Sequence, residues 1–94
     1  MDENDFDIPT DEPEHLYRSH IGGVYKVRCH PSRSKVFASC SVDTTVKVWS
    51  VDESAPLHTM EGHFGYVLDL KWIGKSDLIV SGSFDGSLKI WDSK

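Results

Sequence analysis

His20, Ser39 and Asp43 recur as His63, Ser81 and Asp85. Serine, histidine and aspartate are the residue types of a hydrolytic triad, in which the imidazole takes the serine proton and the carboxylate orients the ring. Two features argue against that chemistry. Ser81 sits on a strand-like segment with no glycine pair around it to form a nucleophile elbow and expose its hydroxyl. The trio also occurs twice, which a repeating scaffold explains and a single active site does not. No catalytic residue is therefore expected. Five histidines and two cysteines invite a metal reading, yet no Cys-x2-Cys or His-x3-His pair occurs, and adjacent residues such as Cys29 and His30 point to opposite faces of a strand. Asp2, Asn4 and Asp7 lack the spacing and central glycine of a calcium loop. No metal and no cofactor are expected.

The elements that must position these residues follow from self-comparison. His20-x3-Val24-x2-Val27 matches His63-x3-Val67-x2-Leu70 at an offset of 43, and Ala38 to Trp49 matches Val80 to Trp91 at an offset of 42. One residue is lost between the two matches, in the turn near Pro31 or Gly74. A period near 40 residues marks a repeat architecture. Within each copy, β-branched and other β-forming residues run in short segments separated by turn residues, and no stretch sustains a helical period. Strands are expected near 23–29, 36–41, 45–50 and 56–60, then near 66–72, 78–83 and 87–92. Asp85-Gly86 is a specific hairpin signal.

Gly62-His63, Ser81-Gly82-Ser83-x-Asp85-Gly86 and Trp91-Asp92 resemble the WD40 repeat family closely. The first copy is similar but weaker, with Ser19-His20 where the family prefers Gly-His and Trp49-Ser50 where it prefers Trp-Asp. The resemblance implies an all-β fold of antiparallel β-propeller blades, with two repeats at about 16–50 and 57–92. It also implies a buried hydrogen-bond network in each blade: His20, Ser39, Asp43 and Trp49 in one, His63, Ser81, Asp85 and Trp91 in the other. The chemistry is compatible, because a carboxylate only accepts, an indole only donates and an imidazole does one on each nitrogen. A family blade has four strands, so one blade is expected whole and one three-stranded, and the ring is incomplete. Leu16-Tyr17-Arg18 then reads as an orphan outer strand. The expected origin is a fragment or truncated form of a longer propeller. The alternative is a structural subunit that self-assembles or completes a partner's propeller.

Composition sets the remaining bounds. Of the fifteen acids, Asp2, Glu3, Asp5, Asp7, Asp11, Glu12 and Glu14 precede His15, leaving eight against ten Lys and Arg in residues 15–94. Residues 1–14 read as a disordered acidic tail, a solubilising leader or alternatively a docking peptide. The near-neutral body has no basic patch of the kind a phosphate backbone requires, so nucleic acid is not an expected partner. No apolar run is long enough for a membrane helix and the start is acidic, so the expected address is intracellular, in nucleus or cytoplasm, with no membrane partner. Cys29 and Cys40 are expected to be free thiols packed in or near a core. The resemblance implies a non-catalytic scaffold for protein–protein binding. Expected partners are proteins or peptides, a second copy, or another WD40 chain. Tyr25, Val42, Phe64, Tyr66 and Phe84 are the candidates for partner contact, being aromatic or apolar groups near turns.

Overall fold

The computed structural model describes residues 13 and 15–94. The expected tail at 1–14 lies, but for Pro13, outside the described residues. Seven strands follow one another: β1 Val24–Cys29, β2 Val36–Ser41, β3 Thr45–Ser50, β4 His58–Glu61, β5 Val67–Trp72, β6 Leu78–Ser83 and β7 Leu88–Asp92. They form two antiparallel sheets, a four-stranded blade ordered β1-β2-β3-β4 and a three-stranded blade ordered β5-β6-β7. The strand bounds fall within two residues of those expected. The largest difference is the start of β4, which Pro56 delays because it has no N–H to give to the ladder.

The repeat is preserved in backbone detail. β1 and β5 each carry a register shift at the same point of the repeat, between Val24 and Lys26 and between Val67 and Asp69. The residue missing from the second copy is lost between strands: residues 30–35 join β1 to β2, whereas residues 73–77 join β5 to β6. In the tight turns, Asp43 Oδ1 accepts the Thr45 N–H at 2.9 Å and Asp85 Oδ1 accepts the Ser87 N–H at 2.8 Å. The next positions differ. Gly86 takes a φ of 90° at no steric cost, while its counterpart Thr44 holds a φ of 77°, a region that costs a residue with a Cβ about 1–2 kcal/mol. Thr44→Gly is accordingly expected to raise stability by about 1 kcal/mol after the added chain entropy of glycine, read as a higher urea midpoint with an unchanged slope.

The hydrophobic core lies between the blades rather than within either. Ala38, Cys40, Val46, Val48 and Met60 of the first blade meet Val67, Leu70 and Ile79 of the second, with Val36, Trp72 and Trp91 packed against them. Strand alternation then leaves the other face of each blade bare. Val24 and Val27 remain about half exposed on the first blade, and Leu88 and Ile90 are 78% and 65% exposed on the second. Two expectations need correction here. Cys40 is buried, but Cys29 is exposed, because it shares the bare side of β1 with Val27. Leu16-Tyr17-Arg18 is not a strand. A strand needs a neighbouring ladder, and what holds this segment instead is Tyr17, whose hydroxyl donates to the Val51 carbonyl at 2.9 Å while its ring packs edge-on against Phe37 and Trp49.

Candidate functional site

Each blade holds a chain of side-chain hydrogen bonds running from its third strand to the turn before its first. In the first blade the Trp49 indole N–H donates to Ser39 Oγ at 2.8 Å. Ser39 Oγ lies 2.7 Å from His20 Nε2, and His20 Nδ1 lies 2.9 Å from Asp43 Oδ2. One proton arrangement satisfies every group. The indole can only donate, so the Ser39 hydroxyl turns its hydrogen to Nε2, and the ring proton sits on Nδ1 facing the carboxylate. In the second blade Trp91 donates to Ser81 Oγ at 2.8 Å and Ser81 Oγ is 2.7 Å from His63 Nε2. The last link differs, since His63 Nδ1 stands 3.7 Å from Asp85 Oδ2 and 3.1 Å from Ser87 Oγ. Ser87 in turn donates to Asp85 Oδ1 at 2.6 Å.

The first network has the distances of a hydrolytic triad but not its accessibility. Ser39 is 4% exposed and its oxygen already takes the indole proton, so no substrate carbonyl reaches it. What the network does is fix loops. Asp43 Oδ2 accepts the Ile21 N–H at 2.9 Å and Asp85 Oδ2 accepts the Phe64 N–H at 2.7 Å, pinning the turn before each blade to the hairpin between its second and third strands.

Thr45 and Ser87 belong to these networks and were missed from the sequence. Thr45 Oγ1 donates to Asp43 Oδ1 at 2.6 Å and lies 3.2 Å from His20 Nδ1. The available signal was a hydroxyl residue two positions after each aspartate. A further tie, also missed, joins the opposite ends of the blades. The buried His30 puts Nε2 3.2 Å from Asp77 Oδ1 while its Nδ1 accepts the Ser32 and Arg33 N–H groups, and Arg33 closes on Asp77 at 3.0 Å. The neighbouring Trp72 indole donates to the Arg28 carbonyl at 3.0 Å.

These contacts set the charges. Burial acts to raise the pKa of Asp43, but hydrogen bonds from the Thr45 hydroxyl, the Ile21 N–H and His20 outweigh it and hold the carboxyl well below the usual carboxylate range. Asp85 is held low by the Ser87 hydroxyl and by the Phe64 and Ser87 N–H groups. Burial pushes His63 down, against the pull of Asp85. It pushes the Cys40 thiol up to about 11, so that thiol is unreactive. Because the folded chain binds His63's proton less readily than the unfolded chain, stability is full above about pH 6.5 and declines as the pH falls below it. Asp43 and Asp85 add a second loss below about pH 4, where the unfolded carboxylates take up protons first. Melting at pH 7.5, 5.5 and 3.5 should show a lower midpoint at each step.

The five candidates for partner contact separate into a row and its margins. Tyr25 and Tyr66 lie with ring centroids 6.5 Å apart, and Tyr66 and Phe84 are stacked at 6.1 Å. The two tyrosines are about half exposed and Phe84 is 76% exposed. Phe64 stands outside the row, 92% exposed, beside a cleft of about 370 Å³ between the blades that Asp43, Thr45, Glu61 and His63 also line. Ile21, the residue after His20, is equally exposed and lines the same cleft. Its equivalence to Phe64 at the offset of 43 was the unused signal. Val42 is half-buried, and any Cβ at Gly22 would collide with its methyl, so it packs on the turn before its blade instead of joining the rings. Among the described residues no group of three or more metal-ligating side chains occurs, and no helix is long and apolar enough to cross a membrane.

The model of the WD domain, G-beta repeat, matches residues 11–50 and 54–92. Dynein axonemal intermediate chain 4 of Rattus norvegicus is 38% identical over 76 residues, 81% of this chain and 10% of that protein. Nuclear distribution protein PAC1 of Tuber melanosporum is 38% identical over 87 residues, 90% of this chain and 19% of that protein. The ribosome biogenesis protein WDR12 homolog of Ixodes scapularis is 40% identical over 80 residues, 83% and 18% respectively. The chain thus spans a fifth or less of these relatives. Two repeat matches over most of the chain, on two antiparallel blades, show that it belongs to the WD40 repeat family, whose members are generally non-catalytic scaffolds for protein interaction.

Proposed function

We propose that this chain is a non-catalytic binding scaffold that holds a partner protein or peptide across the row Tyr25, Tyr66 and Phe84, with Phe64 and Val42 at its margins. The observation that supports this is the row itself, three rings in sequence across both blades, each about half exposed or more. Rings of this kind anchor interfaces because they bury large apolar area with few rotatable bonds to fix. The networks serve the row by holding its turns: Asp43 and Asp85 each tie two loops, and Val42 and Phe84 are the residues immediately before them. We take the two blades as a section of a ring, with further blades on both bare faces, supplied by a longer propeller or by other chains.

Phe84→Ala combined with Tyr66→Ala tests the reading. Loss of anchor rings costs about 2 kcal/mol or more, roughly thirtyfold in affinity. Proteins that bind the parent chain are expected to lose the variant, with the far-ultraviolet circular dichroism unchanged. If fold and binding collapse together, the rings serve packing and the assignment is wrong.

A further inference from the structure

Three segments line the cleft between the blades: the turn before the first blade at Ile21, the hairpin between β2 and β3 at Asp43, and the link from β4 to β5 at Phe64. The cleft therefore belongs to the joint between the repeats and not to a bare face. At about 370 Å³ it falls in the range of sites that take a ligand group, about 300–1,000 Å³. Ile21 and Phe64 hold equivalent positions of the two repeats, and at 92% each they are the most exposed large apolar side chains among the described residues. Their backbones are nonetheless fixed, since the Ile21 N–H donates to Asp43 at 2.9 Å and the Phe64 N–H donates to Asp85 at 2.7 Å. The charges of the cleft are unequal. Each oxygen of the anionic Asp43 already takes two hydrogen bonds, Oδ1 from the Thr45 N–H and hydroxyl and Oδ2 from the Ile21 N–H and His20. It supplies charge but no free acceptor. Glu61 supplies the acceptor, because its side chain is exposed and, among the described residues, nothing donates to its carboxylate. Lys47 is the one cation among the described residues that line the cleft. It is 8% exposed and its ammonium donates to Thr59 Oγ1 at 3.0 Å. Burial keeps His63 neutral at neutral pH. Two carboxylates against one withdrawn ammonium leave the cleft negative.

We propose that this cleft receives an arginine side chain of the partner protein, its guanidinium on Glu61 and Phe64 and its methylene stem against Ile21. A guanidinium presents a planar fork that matches a carboxylate and stacks on an aromatic face, two contacts that an ammonium does not combine. An exposed ring attracts a cation through its quadrupole, and arginine is the commoner occupant of such sites. The apolar stem of the same side chain covers aliphatic surface. Asp43 adds attraction through its charge. The networks add preorganisation: with the Ile21 and Phe64 backbones already tied to Asp43 and Asp85, little loop entropy remains to be lost on binding. The inference rests on the scaffold reading and adds to it the chemistry of the partner.

Titration of the full chain with an acetylated and amidated glycine–arginine–glycine tripeptide, followed by backbone amide chemical shifts, tests it. Saturable shifts are expected at Ile21 and at residues 61–64. The citrulline tripeptide, of the same shape without the charge, should leave those amides in place, and added salt should weaken the arginine peptide's binding. Glu61→Gln is expected to weaken binding about tenfold, through loss of a charged hydrogen bond, and Phe64→Leu about threefold, through loss of the ring face. Both side chains are exposed, so the circular dichroism of each variant should match the parent. Phe84→Ala with Tyr66→Ala should keep the tripeptide shifts, so that failure of the aromatic row and failure of the cleft are read separately. An arginine peptide that moves no amide at the cleft, a citrulline peptide that moves them equally, or a Glu61→Gln variant with the parent affinity would each overturn the assignment.

Discussion

His63→Ala is expected to lower the free energy of unfolding by about 3 kcal/mol, a large share of what a domain of this size has. The His63 side chain is fully buried, and its Nε2 is the acceptor for the Ser81 hydroxyl at 2.7 Å. Ser81 is 1% exposed, so its hydrogen has no water to turn to once the ring is gone. Each buried polar group left unpaired costs about 1–3 kcal/mol, and the space vacated by the ring adds a cavity term. Equilibrium urea denaturation measures the loss. A double-mutant cycle with Ser81→Ala identifies its cause, because the two residues share a hydrogen bond and the double variant should lose about 1 kcal/mol or more less than the sum of the singles. A loss under about 1 kcal/mol for His63→Ala would mean that the network orients loops without contributing to stability.

The histidine, serine, aspartate and tryptophan of each network were legible in the sequence because the set recurs at a nearly constant offset and its donors and acceptors match in number. Their hydroxyl partners Thr45 and Ser87 were not, since serine and threonine are common in strands and become ligands of the aspartate only after the turn has formed. The Gly86 conformation was readable from Asp85-Gly86, whereas nothing in Thr44 announces a positive φ. His30 and Asp77 are 47 residues apart and join two different loops, so no local pattern links them. Cys29, Val24 and Val27 show the limit of hydrophobic patterning. Alternation marks the side of a strand that is apolar, but burial requires a second surface, and on that side of β1 the described residues supply only part of one. The segment at Leu16 fails as a strand for the same reason, since β pairing is bought with contacts to a chain neighbour that local sequence does not encode.

Leu70→Ala is expected to lower stability by about 3 kcal/mol and to do so for both blades at once. Leu70 is 2% exposed and belongs to β5, yet the buried apolar residues it joins come mostly from the first blade. Truncating a buried leucine costs about 2–5 kcal/mol, from lost transfer energy and from the cavity left behind. Neither blade has an apolar cluster of its own among the described residues, so opening the shared layer removes the core of both. Trp49 reports on the first blade, and Trp72 and Trp91 on the second. In variants retaining Trp49 alone, or Trp72 and Trp91 alone, the fluorescence transitions should coincide in the parent and move together on Leu70→Ala. Separate transitions, with only the second blade displaced, would mean that the first blade is stable without its neighbour. The covered and the bare faces would then contribute alike to its stability, which the near-complete burial of Val46 and Val48 beside the exposure of Val24 and Val27 does not support.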